Sequence, residues 1–237
     1  MALAYRAKAE AGPATTDPMT ISLTTTPGDK LLGLCITGAT TAARTGGAPT
    51  WNSGAQTFTP AGTNQAGSAE NNTELWYLIN PNIGTYAAIA QNDSAKNIWG
   101  CLVAFTAGGA VSLFGTPGQT GVSTQTPSLT INSIPAGGMT VSVVGHGNKD
   151  APTSNQTTLY LAGASSWSRG AIYRASASSE NVTHTYTHGA SDDTAMVMAA
   201  WQDVTSNIKS VRGLLRASIS KLNGLAIASV KSRDGLA

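Results

Sequence analysis

Charge is scarce in this sequence. Only 11% of its 237 residues are Asp, Glu, Lys or Arg, against about 25% in an ordinary globular protein. Ala, Gly, Ser, Thr and Asn take up the difference, a composition that suits strands and tight turns better than exposed helices. Cysteine is nearly absent too: two residues, Cys35 and Cys101, each inside an apolar run (LLGLCITG and IWGCLVAF). That excludes a disulfide framework. The pair reads as two buried thiols, with a single bridge as the alternative. No apolar run reaches the roughly 18 residues of a membrane helix. The opening MALAYRAKAEAGPATTDP lacks the apolar core of a signal peptide, so synthesis in a cytoplasm is expected.

Catalytic patterns are missing as well. There is no G-x-S-x-G, no phosphate loop of the G-x-x-x-x-G-K type and no C-x-x-C. Carboxylates are few, and the adjacent Asp192 and Asp193 point opposite ways on an extended chain, unlike a glycosidase pair. The expectation is a protein that is not an enzyme and needs no cofactor. His184-Thr-Tyr-Thr-His188 puts two histidines on one strand face, but such a spacing separates them by about 13 Å, so no metal site is expected. His146, in Gly145-His-Gly147, reads as a lone turn residue.

What is present is alternation. Met19-Thr-Ile-Ser-Leu-Thr has period two, and 30–37 (KLLGLCIT) reads as a central strand buried on both faces. Further strands are expected at 56–59, 74–80, 85–90, 98–106, 128–134, 139–145, 157–164, 172–176, 183–187 and 195–202. Turn signals such as Asn80-Pro81-Asn82 and Pro135-Ala-Gly-Gly138 separate them. The stretches 63–73 and 118–126 read as long polar loops, either connectors or binding loops. The body, 1–204, is expected to be one all-β jelly-roll or β-sandwich domain without internal repetition.

The closing segment, 205–237, does repeat. Ile208-Lys-Ser-Val-Arg-Gly-Leu, Ile219-Ser-Lys-Leu-Asn-Gly-Leu and Val230-Lys-Ser-Arg-Asp-Gly-Leu begin 11 residues apart. It carries Lys209, Arg212, Arg216, Lys221, Lys231 and Arg233 against Asp234, a net +5, whereas the body is −3. Such a period can drive a right-handed coiled coil, but each copy holds a glycine, which costs about 1 kcal/mol inside a helix. Asn-Gly and Asp-Gly are hairpin signals, so short strands joined by tight turns are expected. Strands that short are marginal alone. They must dock on the body, on sister chains or on a larger assembly, and the six cations favour an acidic surface. Solubilising charge on a strand edge is the alternative.

Two parts of the chain resemble bacteriophage virion proteins: the first, with 101–116 as its following strand and polar bend, a jelly-roll module also found in some bacterial surface proteins, and the second a repeat at the ends of phage structural proteins. One runs from Thr50-Trp51-Asn52 through Glu74-Leu-Trp-Tyr-Leu-Ile-Asn-Pro81 to Gly84-Thr-Tyr86. The other is the closing repeat, similar to Asn-Gly-Leu-Ala-Ile-Ala-Ser-Val-Lys-Ser repeats of phage structural proteins. The family's acidic bend is replaced here by Ala-Gly-Gly-Ala-Val at 107–111, so no role tied to it carries over. The resemblance implies a structural protein on the virion exterior of a tailed phage, a capsid decoration (cement) or head-spike protein. Docking is expected through its termini, the closing segment together with the extended N-terminus supplying edge strands and cations to neighbours. The expected partners are itself, as a homotrimer, and the major capsid protein or other virion proteins, with no nucleic acid and no membrane. The other function class is a glycan- or receptor-binding module of a tail fibre or bacterial surface protein. For that class Trp167, beside Arg169, is the candidate for stacking on a sugar or partner, with packing over a sandwich end as the alternative.

Overall fold

The computed structural model describes residues 2–14, 17–39, 46–65, 71–91, 98–163, 167–204, 221–222 and 225–226. The chain divides into two compact units, Met1–Thr205 and Ser206–Ala237. All regular structure among the described residues is β.

The larger unit contains, in chain order, β1 (Ala4–Ala14), β2 (Met19–Thr25), β3 (Asp29–Ala39), β4 (Thr50–Trp51), β5 (Gln56–Thr57), β6 (Thr59–Gln65), β7 (Asn71–Ile79), β8 (Gly84–Ala90) and β9 (Ile98–Thr106). After these come β10 (Val111–Thr124), β11 (Ser128–Ile134), β12 (Met139–His146), β13 (Thr153–Ser154), β14 (Thr157–Gly163), β15 (Ser168–Ala175), β16 (Glu180–Thr187) and β17 (Asp192–Asp203). They form four sheets. Two are five-stranded, β1-β9-β3-β7-β6 and β10-β17-β12-β15-β14; two are smaller, β2-β8-β4-β5 and β11-β16-β13. Every pairing is antiparallel.

The strand orders of the two halves are the same. Replace β1, β9, β3, β7 and β6 by β10, β17, β12, β15 and β14, and one five-stranded sheet becomes the other; β2, β8 and β4 become β11, β16 and β13. Alternate strands switch sheets as in a jelly roll. The body therefore holds the sandwich twice, where the sequence suggested one unrepeated domain. The registers agree in detail. Leu31 faces Phe105 and Ile79, and Met139 faces Trp201 and Ala175. By that match Cys35 corresponds to Val143, Leu75 to Ala171, Tyr77 to Tyr173 and Cys101 to Val197. Both first strands shift register near their starts, one rung apart in the match: β1 after Tyr5, opposite Phe105, and β10 after Phe114, opposite Ala200.

Three interiors result, because the large sheets are buried on both faces. Between the two large sheets lie Leu31, Cys35, Leu75, Trp99, Cys101 and Phe105 from one, and Met139, Val141, Val143, Val197 and Trp201 from the other. The first roll closes over Leu32, Leu34, Ile36, Met19, Ile21, Trp51 and Phe58. The second closes over Ile131, Ile134, Val182 and Met198, continuing into Val144, Ile172, Tyr186 and Met196. Residues 31–38 are buried throughout, as expected for a central strand. Each fully buried large apolar side chain contributes about 1.5–3 kcal/mol.

Two stretches taken for polar loops are largely strand. Residues 118–124 lie in β10, an edge strand whose single neighbour is β17. An edge strand needs no two-sided apolar pattern, so Gly118, Thr120 and Gly121 conceal it. Residues 63–65 end β6 and 71–73 begin β7; the segment between lies outside the described residues. The N-terminal stretch is likewise a strand, β1, braced by Arg6 Nε on Asp29 at 2.6 Å and by Lys8 Nζ on the Leu159 carbonyl.

In the smaller unit, β18 (Lys221–Leu222) pairs antiparallel with β19 (Leu225–Ala226), with Lys221 opposite Ala226 and Leu222 opposite Leu225. The Asn223-Gly224 pair between them lies outside the described residues.

Candidate functional site

The body has two unlike ends. At one, Leu3 donates its N–H to Gly137 O, the link between the rolls runs through Ala107, bonded to Gly28, and Val204 N–H donates to Ala110 O. The chain thus enters, crosses over and leaves the body at the same end. Three of the four exposed large hydrophobics among the described residues, Tyr5, Ile83 and Val204, sit there; the fourth is Val122. Ile83 rides on a braced turn. Thr25 Oγ1 donates to Asn82 O at 2.6 Å, Gln56 Nε2 donates to Asn80 O, and Gln56 Oε1 accepts from Asn82 N–H at 2.7 Å. That bracing lowers the entropy a partner would have to remove.

The opposite end is polar inside. His146 closes β12 and its ring stacks on His188, centroids 3.7 Å apart and planes 8° apart. His146 Nδ1 accepts from Asn148 N–H at 2.9 Å, so Nε2 carries the proton and donates to Thr124 O at 3.0 Å. Ser168 Oγ lies 3.1 Å from His188 Nδ1, while His188 Nε2 is buried without a partner. His146 is therefore no lone turn residue. Nothing in its local sequence marks it, because its partner, His188, follows the end of β16, far along the chain.

His184 lies deeper in the second roll. Its Nε2 is 2.8 Å from Thr140 Oγ1 and its Nδ1 2.7 Å from Ser142 Oγ. Tyr186 OH donates to the Ser142 carbonyl at 3.1 Å and touches Ser142 Oγ at 3.0 Å. Burial, with the nearby Arg174 charge, pushes His184 down to about 3. Burial and the adjoining His146 ring do the same to His188. Burial also lowers His146, against the opposing pull of Thr124 O, Asp192 and Asp193. All three rings are neutral hydrogen-bonding elements near neutral pH. Among the described residues, no group of three or more His, Cys, Asp or Glu could hold a metal ion.

Trp167 and Arg169 are placed differently from the sugar-stacking expectation. Trp167 is 3% exposed and Arg169 4%. Trp167 belongs to the interior between the large sheets, and the Arg169 guanidinium carbon lies 4.7 Å from its ring centroid, 5.6 Å from Tyr160 and 5.8 Å from Trp99. Arg169 Nη2 donates to Tyr160 OH at 3.1 Å, and Trp99 stacks on Tyr160 at 4.0 Å. The cation lies over these ring faces, and Trp167 packs between the two large sheets and not over a sandwich end. The low-charge sequence around Trp167 hid this, because the aromatic partners come from β9 and β14.

Cys35 and Cys101 are directly opposed in the ladder between β3 and β9, and both are buried free thiols. Burial raises both, Cys101 to about 12, so neither acts as a nucleophile near neutral pH. Of the expected docking cations, Lys209, Arg212, Arg216, Lys231 and Arg233 lie outside the described residues; Lys221 is placed by its backbone in β18.

No family model, curated protein or solved structure matches this chain.

Proposed function

We propose that the protein is a structural component of a tailed-phage virion, a capsid decoration or head-spike protein that docks through its basic closing segment. The observation that carries this reading is the hairpin of β18 and β19. It sits in the middle copy of the repeat and has two residues per strand, far below what holds a hairpin together in water. Such a unit gains stability from a neighbouring sheet, and strand addition to an exposed edge supplies it through main-chain hydrogen bonds.

Further support comes from the body. Its last described residue, Val204, shares one end with exposed Tyr5 and Ile83, so the apolar anchors lie at the end where β17 finishes. In this reading that end faces the shell and the polar end faces outward. The resemblance of the Trp51–Tyr86 segment to a virion module points the same way, with self-association as a trimer and the major capsid protein as the expected partners.

Removing residues 206–237 tests the reading. The shortened chain keeps all three interiors and is expected to stay folded by circular dichroism, yet to be lost from purified particles by quantitative mass spectrometry. Full occupancy of particles by the shortened chain would sink the proposal.

A further inference from the structure

At the polar end the His146 ring of the stacked pair is satisfied only when uncharged. His146 accepts a backbone N–H on Nδ1 and donates to a backbone carbonyl from Nε2. A proton on Nδ1 would face the Asn148 N–H. A charge on either ring would also lie against the face of the other at 3.7 Å.

The pair is a junction between segments that ladder pairing and the bonds of Thr194 to Thr124 O and of Gln125 to His188 O also join. His146 holds Thr124, the last residue of β10, and Asn148, in the turn after β12. His188 holds Ser168 at the start of β15, and its backbone N–H donates to Gln125 O at 2.9 Å. Gly147 N–H donates to Asp193 O at 2.9 Å, and a Cβ on Gly147 would come within 2.7 Å of Asp192 Cγ. The turn is thus held on β17, with Gly147 close against the Asp192 carboxylate.

The other charged groups around the pair can be placed. Asp192 and Asp193 approach His146 from β17, and Asp150 lies beside Gly189. Lys149 is on the same turn. Arg169 follows Ser168, but its guanidinium packs against Trp99, Tyr160 and Trp167. His184 shares the strand face of His188 and bonds to Thr140 and Ser142.

We propose that the His146–His188 pair is an acid-operated latch: protonation of either ring releases the 147–150 turn and the 124–125 corner of the second roll while the first roll stays closed. The opening is reversible and involves only proton uptake. Its trigger sits on the end of the body away from Val204.

Hydrogen exchange of the full chain, corrected for intrinsic rates, tests this. Between about pH 7.5 and about pH 5.5, protection at 124–125, 146–150 and 188–193 is expected to fall about tenfold from His188 alone. Strands β2, β3 and β8 are expected to keep theirs. Pairing H188F, which keeps a ring on His146 without a titrating nitrogen, with wild type should remove that tenfold loss. Should H188F not fold, the wild-type ring signals followed by NMR decide alone: both are expected to titrate well below 6.5. Protection independent of pH, equal losses in both rolls, an unchanged response in H188F, or rings titrating near 6.5 would each overturn the latch.

Discussion

Leu32, Leu34 and Ala88 share the interior of the first roll. The corresponding positions of the second roll hold Thr140, Ser142 and His184, joined by hydrogen bonds of 2.7 and 2.8 Å. The next rung repeats the contrast: Ala90 in β8 corresponds to Tyr186 in β16. Where β3 brings large aliphatic side chains, β8 brings alanines, and Trp51, opposite Ala88 in the ladder, adds bulk. Where β12 brings small hydroxyls, β16 brings large rings. Volume is conserved across each sandwich while its location changes sheets. Polarity is conserved in pairs: a hydroxyl inside one sheet comes with a ring nitrogen or phenol inside the other, because an unmatched buried group costs about 1–3 kcal/mol.

The sharpest way to break this comparison is to move one half of a pair. L34S would give the first roll the serine of the second without its histidine. It is expected to lose about 3–5 kcal/mol in urea unfolding, from the cavity and the stranded hydroxyl together. A loss under about 1 kcal/mol would mean that the first roll already offers that hydroxyl a partner. H184A removes the other half of the pair and leaves Thr140 and Ser142 unmatched, at a cost of about 2–4 kcal/mol. Combining it with T140L and S142L, the residues of the first roll, should cost less than the sum of the separate changes. Strict additivity would argue that the three side chains do not act as a unit.

Acid sharpens the contrast next. All three histidines belong to the second roll. His184 and His188 bind protons near 6.5 when unfolded but only near 3 when folded, so the unfolded chain holds more protons between those values. Stability is complete above 6.5 and is lost as pH falls toward 3. Thermal melts from pH 7.5 to 4.5 should show a wild-type decline that is shallower in H184A; parallel declines would remove His184 from the account. The smallest effect tests the residue match itself. C35V installs the residue found at the corresponding Val143, and a change of less than about 1.5 kcal/mol is expected. A larger loss would show that the two sites differ in shape despite their common register.

Much of this fold was readable from alternation. The runs at 19–25, 98–106 and 139–146 bury side chains on a period of two or on both faces, and each is a strand. The hairpin of β18 and β19 was readable from the Asn-Gly pair. The duplication was not, because matched positions keep burial and not size or identity: Leu34 and Ser142, or Ala88 and His184, share no chemistry that a sequence repeat would show. Edge strands β1 and β10 were missed because one-sided pairing tolerates Ala, Gly and Thr. The polar end was missed because His146, Ser168 and His188 are brought together by three different strands. The same is true of Arg169: expected only as the neighbour of a stacking Trp167, it is surrounded by three aromatic rings.

Entry, crossover and exit at one end have a practical meaning. A body stitched at Leu3, Ala107–Ala110 and Val204 can be spliced into a host loop with short spacers on both sides. Cargo attached there would sit on one pole, leaving the histidine pole unobstructed.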